Sequence, residues 1–381
     1  MAEQTYIPET MQALHLPRGP YDKTNPPGPS SIMYDPAFPT PNPSPTEYLI
    51  RVQTAAPDVG ETARIGRLCS PRGQEQQILF PIIPAHEFCG TVISTPTEDQ
   101  FNRYGPRFKI GDEVFGLLDF DRDGAAADFA LATEAELALK PRNVSAAEAA
   151  TIPLSSLIAW QAFFVCAGLD PDDASCNQPA DGQLRVLVTN ASSDVGMHAI
   201  RLLRSHSLFF DEQLGPDGGR RHPVWVGAIG SQDDLESTRA GLGAHAATAS
   251  TDIVAAFHEN GWDPVDIVLE CMGSPTLQQV HSPVVVKDCG HIFAICEPRT
   301  NDDQAESRDC DIEIVNRQLT SKLIAAQPNG RHLERIRRLV EMGELKPSIH
   351  SVVDLIDGVE VMRRAGEKGD WGKIVLRVNP G

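Results

Sequence analysis

The chain has 381 residues, 41% of them hydrophobic and 22% charged, a composition that suits an ordinary soluble protein with room for two domains and a large buried core. Thirty-three basic against 52 acidic residues leave a formal charge of −19. That charge solubilises the surface and repels phosphate backbones and anionic bilayers over a Debye length, so neither nucleic acid nor a membrane is expected as a partner.

The opening MAEQTYIPET has no basic segment followed by an apolar one, and no later run approaches the roughly 18 apolar residues of a membrane span; the expectation is a cytoplasmic protein. Eight cysteines, at 69, 89, 166, 176, 271, 289, 296 and 310, form no C-x-x-C pair, which suits free thiols in a reducing compartment.

Met11 to Leu16 is a short apolar segment, followed by a proline-rich run from Pro26 to Pro45. Proline fixes φ and removes a ladder donor, so this run predicts extended loop around edge strands. From Glu47, EYLIRVQTA alternates as a strand does. PIIPAHEFCGTVIS, FKIGDEVFGL and ADFALATEAELALKP follow at close spacing and predict an all-β or barrel-like unit. The period changes after Ser145. In SAAEAATIPLSSLIAWQAFFVCAGL, Ser145 with Glu148 three residues on is a capping signature, and the long apolar stretch, interrupted by Pro153, reads as helix. Beyond the polar loop DPDDASCNQPADGQ, strands and helices alternate: LRVLVT then VGMHAIRLLRSHS, VWVGAI then DDLESTRAGLG, DIVLECMG then PTLQQVHSPVV, and the strand GHIFAIC. Such alternation predicts a parallel sheet with helices on both faces. The helix HLERIRRLVEMGEL, then SIHSVVDL, DGVEVMRRAGEK and the strand GKIVLRV, return the chain to the β-rich unit. A parallel-sheet unit set inside a β-rich one implies a cleft, and ligands of open α/β sheets bind beyond the carboxyl ends of the strands.

The stretch VLVTNASSDVGMHA, from Val186, is a strand, a turn and a helix start. A turn of this kind holds a pyrophosphate when backbone amides and the helix N-terminus face it. Asn190 tolerates left-handed φ, and Ser192 and Ser193 carry hydroxyl donors. Asp194, placed as a helix cap, competes for the amides and repels the phosphate. On these residues alone a phosphate cradle and a ligand-free cap fit equally.

In their order along the chain, PAHEFCGTV, KIGDEVFGL, AADFALATEAELALKPRNVSAAEAATIPLSSLIAWQAF, VLVTNASSDVG, GLGAHAA, VDIVLECMGSPTL, GHIFAIC, LVEMGELKPSI and GKIVLRV closely resemble the medium-chain dehydrogenase/reductase superfamily, nearest its zinc-free quinone oxidoreductase and enoyl reductase branch. The resemblance runs from about Met11 to Val378. The proline-rich start and the loops DPDDASCNQPADGQ and SLFFDEQLGPDGGRRHP look like the stand-alone reductases of fungal secondary metabolism. It implies an α/β fold: a Rossmann, doubly wound parallel sheet over residues 158–324, and a GroES-like, partly open β-barrel catalytic domain from residues 1–157 and 325–381.

Zinc-dependent members place a Cys ligand in the segment that here reads AAPDVGETARIG, a His-Glu pair where this chain has His86-Glu87, and a third ligand near IPLSS. Only the pair remains, and a tetrahedral site needs at least three protein ligands, so no metal is expected. His86 is then either a hydrogen-bonded histidine packed at a strand edge, or a polar wall or proton donor of the substrate cleft. Glu61 and Arg64, in ETARIG, join it as catalytic candidates, and Glu87 is expected to pair with an arginine such as Arg64.

The cofactor candidates are Asn190, Ser192, Ser193, Asp194, Val195 and Gly196 in the turn, with Ser231 after the second strand. An NAD-specific fold ends that strand with Asp or Glu; here Ile229-Gly230-Ser231 leaves room for a 2′-phosphate, so NADPH is the expected cofactor. Asp233 and Asp234 oppose that phosphate, Leu235 stands where the family often has lysine, and Arg239 or the Arg220-Arg221 pair is available to compensate. Met272-Gly273 and Ile295-Cys296 match loops that pass along adenosine and nicotinamide in the family; simple strand-end packing explains them equally well.

The implied chemistry is hydride transfer from reduced nicotinamide to the β-carbon of an α,β-unsaturated carbonyl, whether enoyl, polyketide-like or quinone, in secondary metabolism, by a monomer or homodimer. The competing reading is a member whose altered turn has lost hydride transfer and which acts as a cofactor-independent isomerase or cyclase, or as a binding protein.

Overall fold

The computed structural model describes residues 6–19, 31–58, 81–97, 105–172, 183–209, 224–273, 276–295, 315–364 and 373–379. The strands are β1 (Thr10–His15), β2 (Met33–Pro39), β3 (Tyr48–Ala56), β4 (Glu87–Ser94), β5 (Glu113–Leu117), β6 (Phe129–Ala132), β7 (Leu137–Leu139) and β8 (Leu184–Val188). They continue as β9 (Val224–Ile229), β10 (Ala246–Thr248), β11 (Val265–Glu270), β12 (Val286–Ala294), β13 (Thr320–Leu323), β14 (Ile349–Asp354) and β15 (Lys373–Arg377). The helices are α1 (Ala146–Ala150), α2 (Pro153–Trp160), α3 (Asp194–Leu203), α4 (His206–Phe209), α5 (Ile253–Asn260), α6 (Thr276–Gln279), α7 (Gly330–Glu341) and α8 (Gly358–Arg364). Among the described residues no helix is long and apolar enough to cross a membrane.

The chain divides into two compact units. The first takes Met1–Leu154, Gln327–Glu341 and Pro347–Gly381. Its main sheet runs β14-β15-β3-β4-β5-β7, with β6 also paired to β3, and every pairing but β14 with β15 is antiparallel. β14 and β7 form the two ends, and no pairing among the described residues closes the sheet into a barrel. Its core gathers Leu14, Tyr48, Leu49, Ile50, Phe88, Phe108 and Met362 with their neighbours. β1 and β2 make a separate antiparallel pair, with β2 in the proline-rich run that the sequence suggests as loop around edge strands.

Entry into the helical region follows the sequence closely. Ser145 caps α1 through a capping box: its Oγ accepts the Glu148 amide at 3.2 Å, and the Glu148 carboxylate accepts the Ser145 amide at 2.7 Å. Pro153 has no amide to donate and opens a new helix instead of continuing the first.

The second unit takes Ser155–Ala326 and Met342–Lys346. Its six strands are all parallel in the order β10-β9-β8-β11-β12-β13. Numbered from β8, this is 3-2-1-4-5-6, the doubly wound dinucleotide-fold order, whose direction reverses between β8 and β11. β8, β9 and β11 are buried at almost every position, as strands covered by helices on both faces must be. Leu187, Val268 and Ile292 pack there against Ile253 and Phe257 of α5.

Two expected helices differ. DDLESTRAGLG is helical but irregular: a 3-10 turn, Gln232–Asp234, leads into a π-helical segment, Ser237–Gly241, in which Leu242 donates to Ser237 five residues back. Glycines at 241 and 243 remove the side chains that hold a regular last turn. Among the described residues of PTLQQVHSPVV the α-helix spans Thr276–Gln279, and Pro283 ends any continuation. β10 and β13 were not legible as strands; β13 is exposed at three of its four positions and carries no apolar alternation.

Candidate functional site at the switch point of the parallel sheet

β8 delivers the chain into a turn that runs from Thr189 to the start of α3. Asn190 has φ of 46°, in the left-handed region that asparagine tolerates. Its carbonyl accepts both the amide of Ser193 (2.9 Å) and the Ser193 hydroxyl (2.7 Å). Ser193 is extended (φ −66°, ψ 160°) and is the N-cap of α3: its Oγ accepts the Gly196 amide at 3.1 Å, and its carbonyl accepts the Met197 amide at 2.8 Å.

Asp194 is therefore not the cap that the sequence suggests; it is the first residue of α3, and its carbonyl lies 2.8 Å from Nδ1 of His198. A serine hydroxyl both donates and accepts, so Ser193 satisfies Asn190 and Gly196 together, which a carboxylate cannot do. Ser193 is thereby occupied with the turn. Ser192 is half-buried beside it, and the Val195 amide belongs to the first helical turn, where no intrahelical acceptor exists. Gly196 sets how closely helix and turn approach: a Cβ there would lie 2.5 Å from the Asn190 oxygen and 2.8 Å from the Ala191 Cα. Only glycine permits this packing, the part that the last glycine of a dinucleotide turn plays.

Across the switch point, β11 ends at Glu270. The side chain of Glu270 is wholly buried. Its Oε1 accepts the hydroxyl of Thr189 at 3.0 Å, the amide of Met272 at 3.0 Å and the hydroxyl of Thr276 at 2.7 Å; its Oε2 accepts the amide of Gly273 at 2.8 Å. The Glu270 carbonyl accepts the Ile295 amide at 3.0 Å. Thr189 Oγ1 also accepts the Cys271 amide at 2.8 Å, and the Asn190 amide side chain reaches the Cys271 carbonyl at 3.4 Å. The structure thus brings the Asn190 turn, Met272-Gly273 and Ile295 together, with Gly273 at φ 84° letting the chain bend. Neither Glu270 nor Thr189 stood out in the sequence; the available signal was a polar residue closing each apolar strand, VDIVLE and VLVT.

β9 ends one strand away, where the Ala191 amide donates to the Ile229 carbonyl at 2.8 Å. Ser231 caps the Gln232–Asp234 turn and its hydroxyl bonds the Asp234 carboxylate. Asp233 and Arg239 are exposed and Leu235 is half-buried. Cys296, Arg220 and Arg221 lie outside the described residues.

His86 and Glu87 belong to the first unit, and both are buried. His86 Nε2 lies 3.1 Å from the Arg122 carbonyl, and the ring packs at 4.9 Å from Phe120. Beside it Asp123 accepts the Ile83 amide at 3.0 Å, and burial pushes its carboxyl up against the opposing pull of that amide, His86 and Arg122. Glu87 accepts the Leu154 amide at 2.8 Å through one oxygen and the Lys373 ammonium through the other. Its described partner is Lys373. Burial pushes its carboxyl up to about 7, although Lys373 and the Leu154 amide pull the other way. Glu61 and Arg64 lie outside the described residues. Among the described residues no three of His, Cys, Asp and Glu gather as a metal site.

Residues 242–376 match the sequence profile of a family described as zinc-binding dehydrogenase. The chain is 29% identical over 342 residues to the "Probable zinc-binding oxidoreductase, mitochondrial" of Arthroderma benhamiae, covering 89% of this chain and 91% of that one. It is 26% identical over 297 residues to a chloroplast envelope quinone oxidoreductase homolog of Arabidopsis thaliana, with 78% and 80% covered. Among solved structures, one described as an NAD-dependent alcohol dehydrogenase superposes with a TM-score of 0.71 at 25% identity, over 97% of this chain and 100% of that one. The quinone oxidoreductase of Coxiella burnetii superposes with a TM-score of 0.70 at 20% identity, over 97% and 99%, a likeness of fold alone. The fold is that of the alcohol dehydrogenase-like medium-chain dehydrogenases/reductases: a parallel Rossmann sheet and a separate, antiparallel-rich catalytic domain.

Proposed function

We propose that the chain is an oxidoreductase of the medium-chain dehydrogenase/reductase, quinone oxidoreductase type, and within it an NADPH-dependent, zinc-independent reductase of α,β-unsaturated carbonyl compounds. The observation that carries this reading is the corner between β8 and β11. There Gly196 allows the turn to lie against α3 with no room for a side chain, and a ten-residue helix presents its N-terminus. These residues fit a dinucleotide diphosphate.

Val195 and the remaining first-turn amides of α3 would hold that diphosphate, with Ser192 adding a hydroxyl. Ser231 would receive the 2′-phosphate of NADPH, and Met272-Gly273 with Ile295 would line the rest of the dinucleotide. When bound, the nicotinamide supplies a hydride to the β-carbon of the substrate. His86 packs against Phe120 with Nε2 on a carbonyl, a geometry that supports a structural histidine holding the Phe120–Arg122 loop.

Zinc independence rests on Glu87. Both of its oxygens are engaged, one by an ammonium ion that already balances the carboxylate and repels a divalent cation. The described donors do not fit a zinc site. Action in fungal-type secondary metabolism rests on the proline-rich start and the long polar loops.

One observation favours the competing reading, a cofactor-independent isomerase, cyclase or binding protein: Ser193 already holds the Gly196 amide. Titration of the full chain with NADPH, followed by nicotinamide fluorescence, separates the two. Saturable binding, with NADPH oxidation on addition of an enone or quinone, is expected; no saturable binding at millimolar NADPH overturns the reductase reading.

A further inference from the structure

We propose that Glu270 and Thr189 form a positioning device that sets the spacing between the diphosphate turn after β8 and the loop after β11, and so determines affinity for the dinucleotide. The inference rests on the reductase reading and adds to it two residues that touch no substrate.

The reasoning begins with a buried acid that has no cation. Glu270 is fully buried; the Thr189 hydroxyl and the Met272 and Gly273 amides donate to it, the Thr276 hydroxyl divides its one proton between Glu270 and the Gly273 carbonyl, and among the described residues no lysine or arginine pairs with it. A polar group buried this deeply costs stability unless it is hydrogen-bonded, and these donors supply the bonds. A carboxylate is also the one side chain that is acceptor-only at both oxygens. Glutamine offers one acceptor oxygen and turns two donors toward amides that are themselves donors. Donors converging on both oxygens therefore select glutamate for a geometric reason.

What these donors belong to gives the device its function. Thr189 is the last residue before the left-handed Asn190, while Met272 and Gly273 form the loop across the switch point. Thr189 Oγ1 sits between them, donating to Glu270 at 3.0 Å and accepting from Cys271 at 2.8 Å. Removing this one oxygen breaks both links and leaves the strands paired through their backbones, as β8 with β11 and Thr189 to Leu269 at 3.0 Å. A dinucleotide spanning the switch point contacts both loops at once, so an error in their separation is felt by the whole ligand.

The test uses the full chain and NADPH binding, read by nicotinamide fluorescence, for wild type, Thr189→Val, Thr189→Ser and Glu270→Gln, with the unliganded thermal midpoint as the measure of folding. Thr189→Val keeps the shape and loses the hydroxyl; Thr189→Ser keeps the hydroxyl and loses the methyl. Wild type is expected to saturate, Thr189→Ser to bind within about threefold of it, and Thr189→Val and Glu270→Gln to weaken by about tenfold or more, with KM for NADPH rising more than kcat falls. Saturation by wild type with unchanged affinity in Thr189→Val overturns the positioning role and leaves the reductase reading standing. Equal weakening in Thr189→Ser and Thr189→Val overturns it too, because packing of the methyl group then explains the loss. Absence of saturable binding by wild type removes the reading on which the inference rests. If Glu270→Gln does not fold, the two Thr189 variants decide.

Discussion

Glu87 and Lys373, 286 positions apart in the chain, form an ion pair in which the carboxylate side chain is 2% and the ammonium side chain 8% exposed. Taking two charges out of water costs several kcal/mol per ion, and only the partner and the remaining hydrogen bonds offset that. Lys373→Met alone is expected to lower stability by about 3–5 kcal/mol above about pH 7, because the Glu87 carboxylate is then left without its counterion in a dry site. The double variant Glu87→Gln with Lys373→Met recovers most of the loss. Urea-unfolding midpoints of the single and double variants check this, and strict additivity would count against a coupled pair.

The same pair sets a pH dependence. Glu87 titrates at about 7 in the folded chain against an ordinary 4.5, so the folded state holds its proton more tightly than the unfolded one. The stability that comes from this protonation is complete below about 4.5 and is lost as pH rises through about 7. In Glu87→Gln the decline in unfolding midpoint across that window should flatten relative to wild type. An unchanged slope would place the titration elsewhere.

Gly196→Ala tests the cradle directly. The added methyl meets backbone atoms at 2.5 and 2.8 Å, which have no rotamer to escape into, so the turn has to move. We expect a loss of about 1–3 kcal/mol in stability, typical of overpacking, and NADPH affinity reduced by at least about tenfold. A variant that binds as well as wild type would mean that the dinucleotide does not lie at this turn.

Asp234 bears on nucleotide choice. Its carboxylate bonds the hydroxyl of Ser231, the group proposed to meet the 2′-phosphate. Asp234→Asn removes a negative charge from that position, and one charge at about 4 Å in water is worth about 1 kcal/mol, or about fivefold. The ratio of kcat/KM for NADPH over NADH should rise by that factor. Ser231→Ala should lower the ratio.

Thiol reactivity should follow exposure. Cys289 is exposed, while Cys89 is buried with burial pushing its thiol far up, and Cys271 is buried beside Thr189. Peptide mapping after brief alkylation of the folded chain should find Cys289 modified and Cys89 and Cys271 untouched until denaturation.

The fold was legible wherever periodicity was strong. VWVGAI and GKIVLRV are β9 and β15 almost to the residue, and Ser145 with Glu148 caps α1 as the spacing implies. Local pattern failed where tertiary pairing decides: β13 reads TSKL and is a strand only because β12 offers it an edge. The candidate site was legible in outline, since Asn190 and Gly273 advertise left-handed backbone and Gly196 a close approach that a side chain would block. Its organising acid was not. Glu270 matters through donors brought from Thr189, Met272, Gly273 and Thr276, and a contact between positions 81 apart leaves no local trace. Lys373 as the partner of Glu87 was hidden for the same reason.

β15 lies between β14 and β3, so the sheet of the first unit gains its last two strands at one edge only when residues near 373 have left the ribosome. During synthesis the segment from Met1 to Leu154 waits with an open seam and with Glu87 lacking its counterion, while the six parallel strands between can already assemble. Maturation of the nascent polypeptide is thereby ordered from the inside outward: the parallel-sheet half first, the half containing Glu87 last.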